Sequence, residues 1–194
     1  WELLNNLAVH LQQMKMFDEA VVFHVKAINN SEPEQHPQLY INLGLAMTGQ
    51  GDHKAAVELF DAVLAVHPDM LDAAVNLSST LNSMKEYGRS AEVCQRTLAL
   101  VEAPELYHNM GNALHRIPGR NADALKAFER AMELDPTNWK SKRIEAVARS
   151  LGRNLCLYVE ERIEVFETES RMPGWALIAL AALVEVTRDP RCLG

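Results

Sequence analysis

A small–large–small pattern of side chains recurs along this sequence at a nearly constant interval, and it restricts the chain to a narrow class of folds. Its clearest copy is Ala124, Phe128 and Ala131. Steps of four and three residues place these side chains on one stripe of a helix, where they favour close packing against a second helix. The helix is predicted to end at Asp135, because a residue that precedes proline is disfavoured in helical conformation.

The stripe occurs four times, and its copies are offset by 36, 34 and 34 residues. They begin at Ala20, Ala56, Ser90 and Ala124. Each copy follows another helical pattern, in which a small residue would let the facing helix approach closely. These small residues are Ala8, Gly44, Ser78 and Gly111. The sequence therefore predicts four helix pairs in residues 1–137.

Two copies carry a fuller motif: YINLGLAM with AAVELFDAVLAVHP, and YHNMGNAL with ALKAFERAMELDP. An aromatic residue before an apolar–Gly pair, followed by Ala-x3-Phe and then proline, resembles the tetratricopeptide repeat. The resemblance implies an all-α fold, a right-handed α-solenoid of helix-turn-helix repeats. The repeats are predicted at about 1–34, 37–70, 71–103 and 104–137.

The third predicted repeat departs from the motif. It lacks the glycine, and it places polar Ser90 and Thr97 on the packing stripe. We expect it to be the least stable of the four.

Residues 138–194 are predicted to form a helical C-terminal cap with degenerate repeat character. The predicted helix 173–187 is apolar nearly all round, so it must be buried. It would either complete the cap or contact a partner. Because Trp1 opens the chain with the first repeat already in register, further repeats are expected upstream.

No motif indicates catalysis or a cofactor. The seven histidines lack metal-ligand spacing, and three scattered cysteines suit neither a zinc site nor a disulfide framework. No Gly-rich phosphate loop or Gly-x-Ser-x-Gly elbow is present. We expect a protein that is not an enzyme and binds no metal or cofactor.

The charge distribution argues against nucleic acid as a partner. Residues 1–138 hold 10 basic and 18 acidic side chains, a net charge of −8. Such a surface repels phosphate backbones. No apolar run is long enough to span a bilayer. Together with the low cysteine content, this predicts an intracellular, cytoplasmic protein.

Four asparagines share one register in the predicted first helices: Asn6, Asn42, Asn76 and Asn109. In the family that the chain resembles, first helices line a concave groove. An asparagine amide can pair with both the N–H and the C=O of one peptide residue. The register resembles the asparagine ladders of the O-GlcNAc transferase superhelix and of the peroxisomal targeting-signal receptor. The other interpretation is that these amides bond to neighbouring helices as part of the repeat consensus.

The remaining groove positions indicate what the groove would bind. Asp72, Glu105 and Asn112 complete the candidate site. The positions at which Hsp90 co-chaperones of this family clamp a terminal carboxylate carry no lysine or arginine. The carboxylates would repel an acidic peptide and favour a neutral or basic one.

The sequence thus predicts a protein–protein interaction scaffold that holds an extended or helical partner segment in its groove. Two alternatives stay open. The chain could be the substrate-recognition arm of a larger enzyme, such as a glycosyltransferase. It could also be a structural subunit of a larger assembly.

Overall fold

The structure is a computed structural model that describes residues 1–29 and 34–135. Eight α-helices and no strands occur in these residues. The helices are α1 (Glu2–Gln13), α2 (Phe17–Ile28), α3 (Pro37–Gln50), α4 (His53–Val66), α5 (Leu71–Ser83), α6 (Tyr87–Leu98), α7 (Pro104–His115) and α8 (Asn121–Leu134). The predictions for residues 138–194, including the helix 173–187, lie outside the described residues.

The helices come in four pairs, and the turn within each pair is built on a left-handed residue. These residues are Lys15, Gly51, Lys85 and Gly119, with φ of 61°, 98°, 65° and 79°. In the first three pairs, the N–H of the next residue bonds to the carbonyl five residues earlier, as in Asp52 to Met47 at 2.9 Å. This is the Schellman arrangement that closes a helix end. Each chain reversal is therefore set locally.

Residues 1–109 form one compact unit. Within it, α2 and α4 each pack against the first helix of their own pair and against the first helix of the next pair, and α6 packs against α5. Neighbouring first helices also touch, α1 with α3 and α3 with α5. The buried core is consequently a seam that runs from pair to pair.

The tightest contact in this seam joins a glycine to an aromatic ring. A Cβ atom on Gly44 would lie 2.6 Å from Cε1 of Phe60, closer than real Cβ atoms approach. The fourth pair repeats the arrangement, with 2.6 Å between the same positions of Gly111 and Phe128. Both rings are fully buried. Glycine is thus required there by space and not by backbone angle.

The third pair replaces this contact with a hydrogen-bonded polar cluster. Ser90 Oγ, which is buried, donates to the Ser78 carbonyl at 2.9 Å, and Ser78 Oγ donates to the Val75 carbonyl at 3.0 Å. Burial raises the pKa of the Cys94 thiol to about 11, although a hydrogen bond with Ser78 opposes the shift. Thr97 Oγ1 is buried and has no partner among the described residues. The Thr97 hydroxyl is therefore more able than the Ser90 hydroxyl to lower the stability of the third pair.

In the first pair, His24 takes the position of Phe60 and is fully buried, as its register predicts. Neither ring nitrogen has a hydrogen-bond partner among the described residues. Burial lowers the pKa of His24 from its usual 6.5 to about 4. The folded protein therefore holds this imidazole neutral.

Acid should weaken the fold through His24. The stabilisation from a depressed histidine pKa is complete above pH 6.5 and is lost as the pH falls toward 4, since unfolding then lets the imidazole take up a proton. We expect the free energy of unfolding to drop by roughly 1–2 kcal/mol between pH 7 and pH 5 from this group. Urea denaturation at several pH values measures the drop.

A His24→Leu variant should lose this part of the pH dependence, because leucine cannot titrate. His10→Gln is the matched control, since His10 is exposed. If His24→Leu and the wild type show parallel pH profiles, His24 is not the group responsible.

Candidate peptide-binding surface

The four asparagines of the predicted ladder lie on the first helix of each pair. Asn6 is on α1, Asn42 on α3, Asn76 on α5 and Asn109 on α7. Asn6 is exposed, and the other three are half-buried. Because α3 touches both α1 and α5, these helices present their asparagines to one continuous surface, which we call the first-helix surface.

Asn42 is tied to the neighbouring first helix. Its Nδ2 donates to Oδ1 of Asn5 on α1 at 3.1 Å. Its own Oδ1 accepts from Gln38 Nε2 at 3.1 Å, within α3. One amide hydrogen of Asn42 therefore holds α1 and α3 together, so Asn42 has a structural role.

Asn109 is also bonded to the neighbouring first helix, through two hydrogen bonds where Asn42 has one. Its Nδ2 donates to the Val75 carbonyl at 3.1 Å and to Ser78 Oγ at 2.9 Å, both on α5. Both amide hydrogens are thereby used. Only the side-chain oxygen of Asn109 is left for another molecule.

A second link between first helices recurs at one register. Gln12 Nε2 on α1 donates to the main-chain carbonyl of Asn42 at 2.9 Å. Asn82 Nδ2 on α5 donates to the main-chain carbonyl of Asn109 at 3.1 Å. Gln12 and Asn82 are equivalent, since they are separated by the first two repeat offsets of 36 and 34 residues. Neither residue was predicted from the sequence, although the repeat register could have revealed both.

Asn76 differs from Asn42 and Asn109 in that its amide stays on its own helix. Nδ2 donates to the Asp72 carbonyl one turn earlier, at 2.8 Å. An amide carries two hydrogens and an acceptor oxygen, so this single bond leaves one donor and the acceptor for a bound chain. Asn6 is exposed at the α1 end of the surface.

The other predicted site residues fall into two groups. Asp72 on α5 and Glu105 on α7 are exposed at the first turns of their helices. Their carboxylates make this part of the surface negative. Asn112 is half-buried, and its Oδ1 is buried with no hydrogen-bond partner among the described residues.

Within the described residues, no group of three or more His, Cys, Asp or Glu side chains is placed to hold a metal ion. None of the helices in that part of the chain is long and apolar enough to cross a bilayer. The chemistry on the first-helix surface is that of amides and carboxylates, which can bind a peptide through hydrogen bonds and charge.

Two segments of the chain match a known repeat family. Residues 38–67 and 104–138 each match a family model described as tetratricopeptide repeat. No curated protein matches the sequence. Similar solved structures include MamA from Desulfovibrio magneticus RS-1, residues 41 to the end, at 18% identity over 97% of this chain and 96% of that chain, with a TM-score of 0.66.

Another similar structure is TTC0263, a thermophilic TPR protein of Thermus thermophilus. It is 15% identical over 95% of this chain and 97% of that chain, with a TM-score of 0.62. At such identities the likeness concerns the fold alone.

Proposed function

Because this chain contains tetratricopeptide repeats and folds as an all-α solenoid of them, we propose that it is a protein-interaction scaffold whose first-helix surface binds an extended or helical segment of a partner. The observation that carries the proposal is the single register of Asn6, Asn42, Asn76 and Asn109 on adjacent first helices. No described cluster of side chains offers a competing metal-dependent chemistry.

The asparagines divide into two roles. Asn42 and Asn109 use amide hydrogens on the neighbouring first helix, so they fix the spacing between helices. Asn76 and the exposed Asn6 keep donors and acceptors for the partner. A surface whose spacing is fixed before binding loses less entropy when the partner binds, which favours affinity.

Charge adds selectivity. Asp72 and Glu105 are exposed beside the asparagine register, and they would attract a basic segment and repel an acidic one. Exposed charges are screened within about 8 Å at physiological ionic strength. The preference for basic ligands should consequently fade as salt is added, while the amide contribution should persist.

The test uses peptides selected from a random library for binding to the chain, each titrated by calorimetry against the wild type and the Asn6→Ala/Asn76→Ala variant. A neutral hydrogen bond contributes roughly 0.5–1.5 kcal/mol, so two lost bonds should weaken binding by about fivefold to a hundredfold. Asn29→Ala is the matched control, because Asn29 is exposed at the end of α2. It should bind as the wild type does.

Since the proposed amides would bond to the main chain of the peptide, the loss of affinity should be similar for peptides of different sequence. Circular dichroism establishes that the variant is folded. Unchanged affinity in a folded Asn6→Ala/Asn76→Ala variant would place the binding surface elsewhere on the chain.

A further inference from the structure

The junctions between neighbouring first helices are not built alike. Between α1 and α3, Gln12 Nε2 donates to the main-chain carbonyl of Asn42 at 2.9 Å. Between α5 and α7, Asn82 Nδ2 donates to the main-chain carbonyl of Asn109 at 3.1 Å. In both cases the asparagine of the later helix also donates back to the earlier helix. These two junctions are therefore linked by side-chain hydrogen bonds in both directions.

The junction between α3 and α5, which we call the middle junction, is different because its side chains bond within their own helices. Thr48, at the register of Gln12, donates to a carbonyl of α3 at 2.9 Å. Asn76 Nδ2 donates to the Asp72 carbonyl at 2.8 Å. Thr80 Oγ1 donates to the main-chain carbonyl of Asn76 at 2.8 Å. Among the described residues, none of these side chains bonds across the middle junction.

Leu45 lies on the side of α3 that faces α5. It follows Ile41 by four residues and precedes Thr48 by three, so the three side chains share one stripe. Between α5 and α7, the residues equivalent to Ile41 and Thr48 both bond to Asn109. Because Asn109 holds the register of Asn76, Leu45 lies level with Asn76 across the middle junction.

Two exposed side chains flank the amide of Asn76. Leu45 is 40% exposed, and it is the exposed large apolar residue of α3 and α5. Asp72 is exposed one turn before Asn76 on the same face of α5. A helical turn rises 5.4 Å and packed helices lie 8–10 Å apart, so Leu45 and Asp72 are about 10 Å apart. An extended chain covers this distance in about three residues.

We propose that the middle junction recognises an extended segment with an apolar and a basic side chain two to four residues apart. This rests on the proposed function, in which the first-helix surface binds a partner segment. The apolar side chain packs on Leu45, and the basic side chain pairs with Asp72. The main chain of the segment bonds to the donor and acceptor that Asn76 keeps. It thereby supplies the link between first helices that the other two junctions form internally.

Synthetic peptides test the proposal by fluorescence anisotropy with the full 194-residue chain. Each peptide holds one leucine and one arginine, one to seven positions apart, in a background of serine, threonine and glycine. We expect the tightest binding at separations of two to four. Replacing the arginine of the peptide by glutamate should weaken binding roughly twofold to thirtyfold, because repulsion then replaces an exposed ion pair.

Asp72→Lys should reverse the charge preference, so that the glutamate peptide binds more tightly than the arginine peptide. Glu58→Lys is the matched control, since Glu58 is exposed on the second helix α4 and the change in net charge is equal. It should keep the preference for arginine. Asp72→Asn is a milder variant that should bind the two peptides nearly equally. Circular dichroism verifies that the variants fold.

Leu45→Ala should weaken binding of the leucine peptides roughly fivefold to thirtyfold, because less apolar surface is buried. It should change little for peptides that hold serine in place of leucine. Val66→Ala is the matched control, since Val66 lies at the end of α4 and is 38% exposed. It should bind as the wild type does.

Four results would overturn the proposal. They are no binding by any peptide of the series, binding that does not depend on the separation of leucine and arginine, an unchanged charge preference in folded Asp72→Lys, and equal losses for leucine and serine peptides in Leu45→Ala. The library-selected peptides report on the scaffold function independently. If these still lose affinity in the Asn6→Ala/Asn76→Ala variant, the scaffold function stands and only the middle junction is wrong.

Discussion

Phe60→Ala should lower the free energy of unfolding by roughly 3–5 kcal/mol, the largest effect we expect from a single substitution in this chain. The ring is fully buried and lies in the seam between α3 and α4. Removing it leaves a cavity that cannot be refilled from the other side, because Gly44 has no side chain. The lost dispersion contacts and the cavity therefore add together.

Urea denaturation followed by circular dichroism measures this loss. Phe23→Ala is the matched control, since Phe23 is only half-buried on the second helix of the first pair. It should cost distinctly less. A loss below about 1 kcal/mol for Phe60→Ala would mean that the ring does little to stabilise the packing of α3 against α4, since truncation of a buried phenylalanine ordinarily costs more than this.

Gly44→Val should destabilise the protein by about 3 kcal/mol for the opposite reason. The first added carbon alone would lie 2.6 Å from the ring of Phe60, so the valine must displace a fully buried aromatic side chain. Overpacking of this kind costs about 1–3 kcal/mol, and more where the backbone must shift. The same denaturation experiment applies.

Gly88→Val separates this clash from the general effect of placing valine in a helix. Gly88 lies on α6, and a Cβ there would meet no atom within 4 Å. Glycine and valine differ little in helix propensity, so this control should stay within about 0.5 kcal/mol of the wild type. Equal losses at the two positions would show that the contact with Phe60 is not what requires Gly44.

The helix pairs and their packing could be predicted because the information is local and repeated. Residues three and four apart share a face of a helix whatever surrounds it, so the stripes at Phe60 and Phe128 predicted second helices that the structure confirms. Residues 38–67 and 104–138 match models described as tetratricopeptide repeat, and the all-α solenoid fold is likewise confirmed. His24, in the same register as Phe60, is likewise fully buried.

The hydrogen bonds of the asparagines could not be predicted in the same way. Whether Asn42 bonds to Asn5 on α1 or to its own helix depends on the spacing between helices, which side-chain packing on other faces sets. Asn76, at the same register, bonds within α5. Identical residues at identical positions thus have different partners, and only the assembled structure distinguishes them.

The residues with left-handed backbone show a similar limit on what can be predicted from the sequence. Glycine at 51 and 119 signals a turn, but Lys15 and Lys85 adopt the same backbone region without any such signal. The Schellman hydrogen bonds hold them there against an intrinsic preference of roughly 1–2 kcal/mol. For predicting a left-handed backbone, the residue type at one position was therefore less informative than the place of that position in the repeat.

The close fit between Gly44 and Phe60 restricts how repeats of this kind can diverge. The two positions hold Ala and His in the first pair, Gly and Phe in the second and fourth, and Ser and Cys in the third. A lineage that changes one position at a time passes through either a steric clash or a void. Each intermediate would lose several kcal/mol, a large share of the stability of a small domain. Duplication of a whole repeat carries both residues together and avoids that barrier, so such repeats should diversify more readily by copying than by stepwise exchange at this contact.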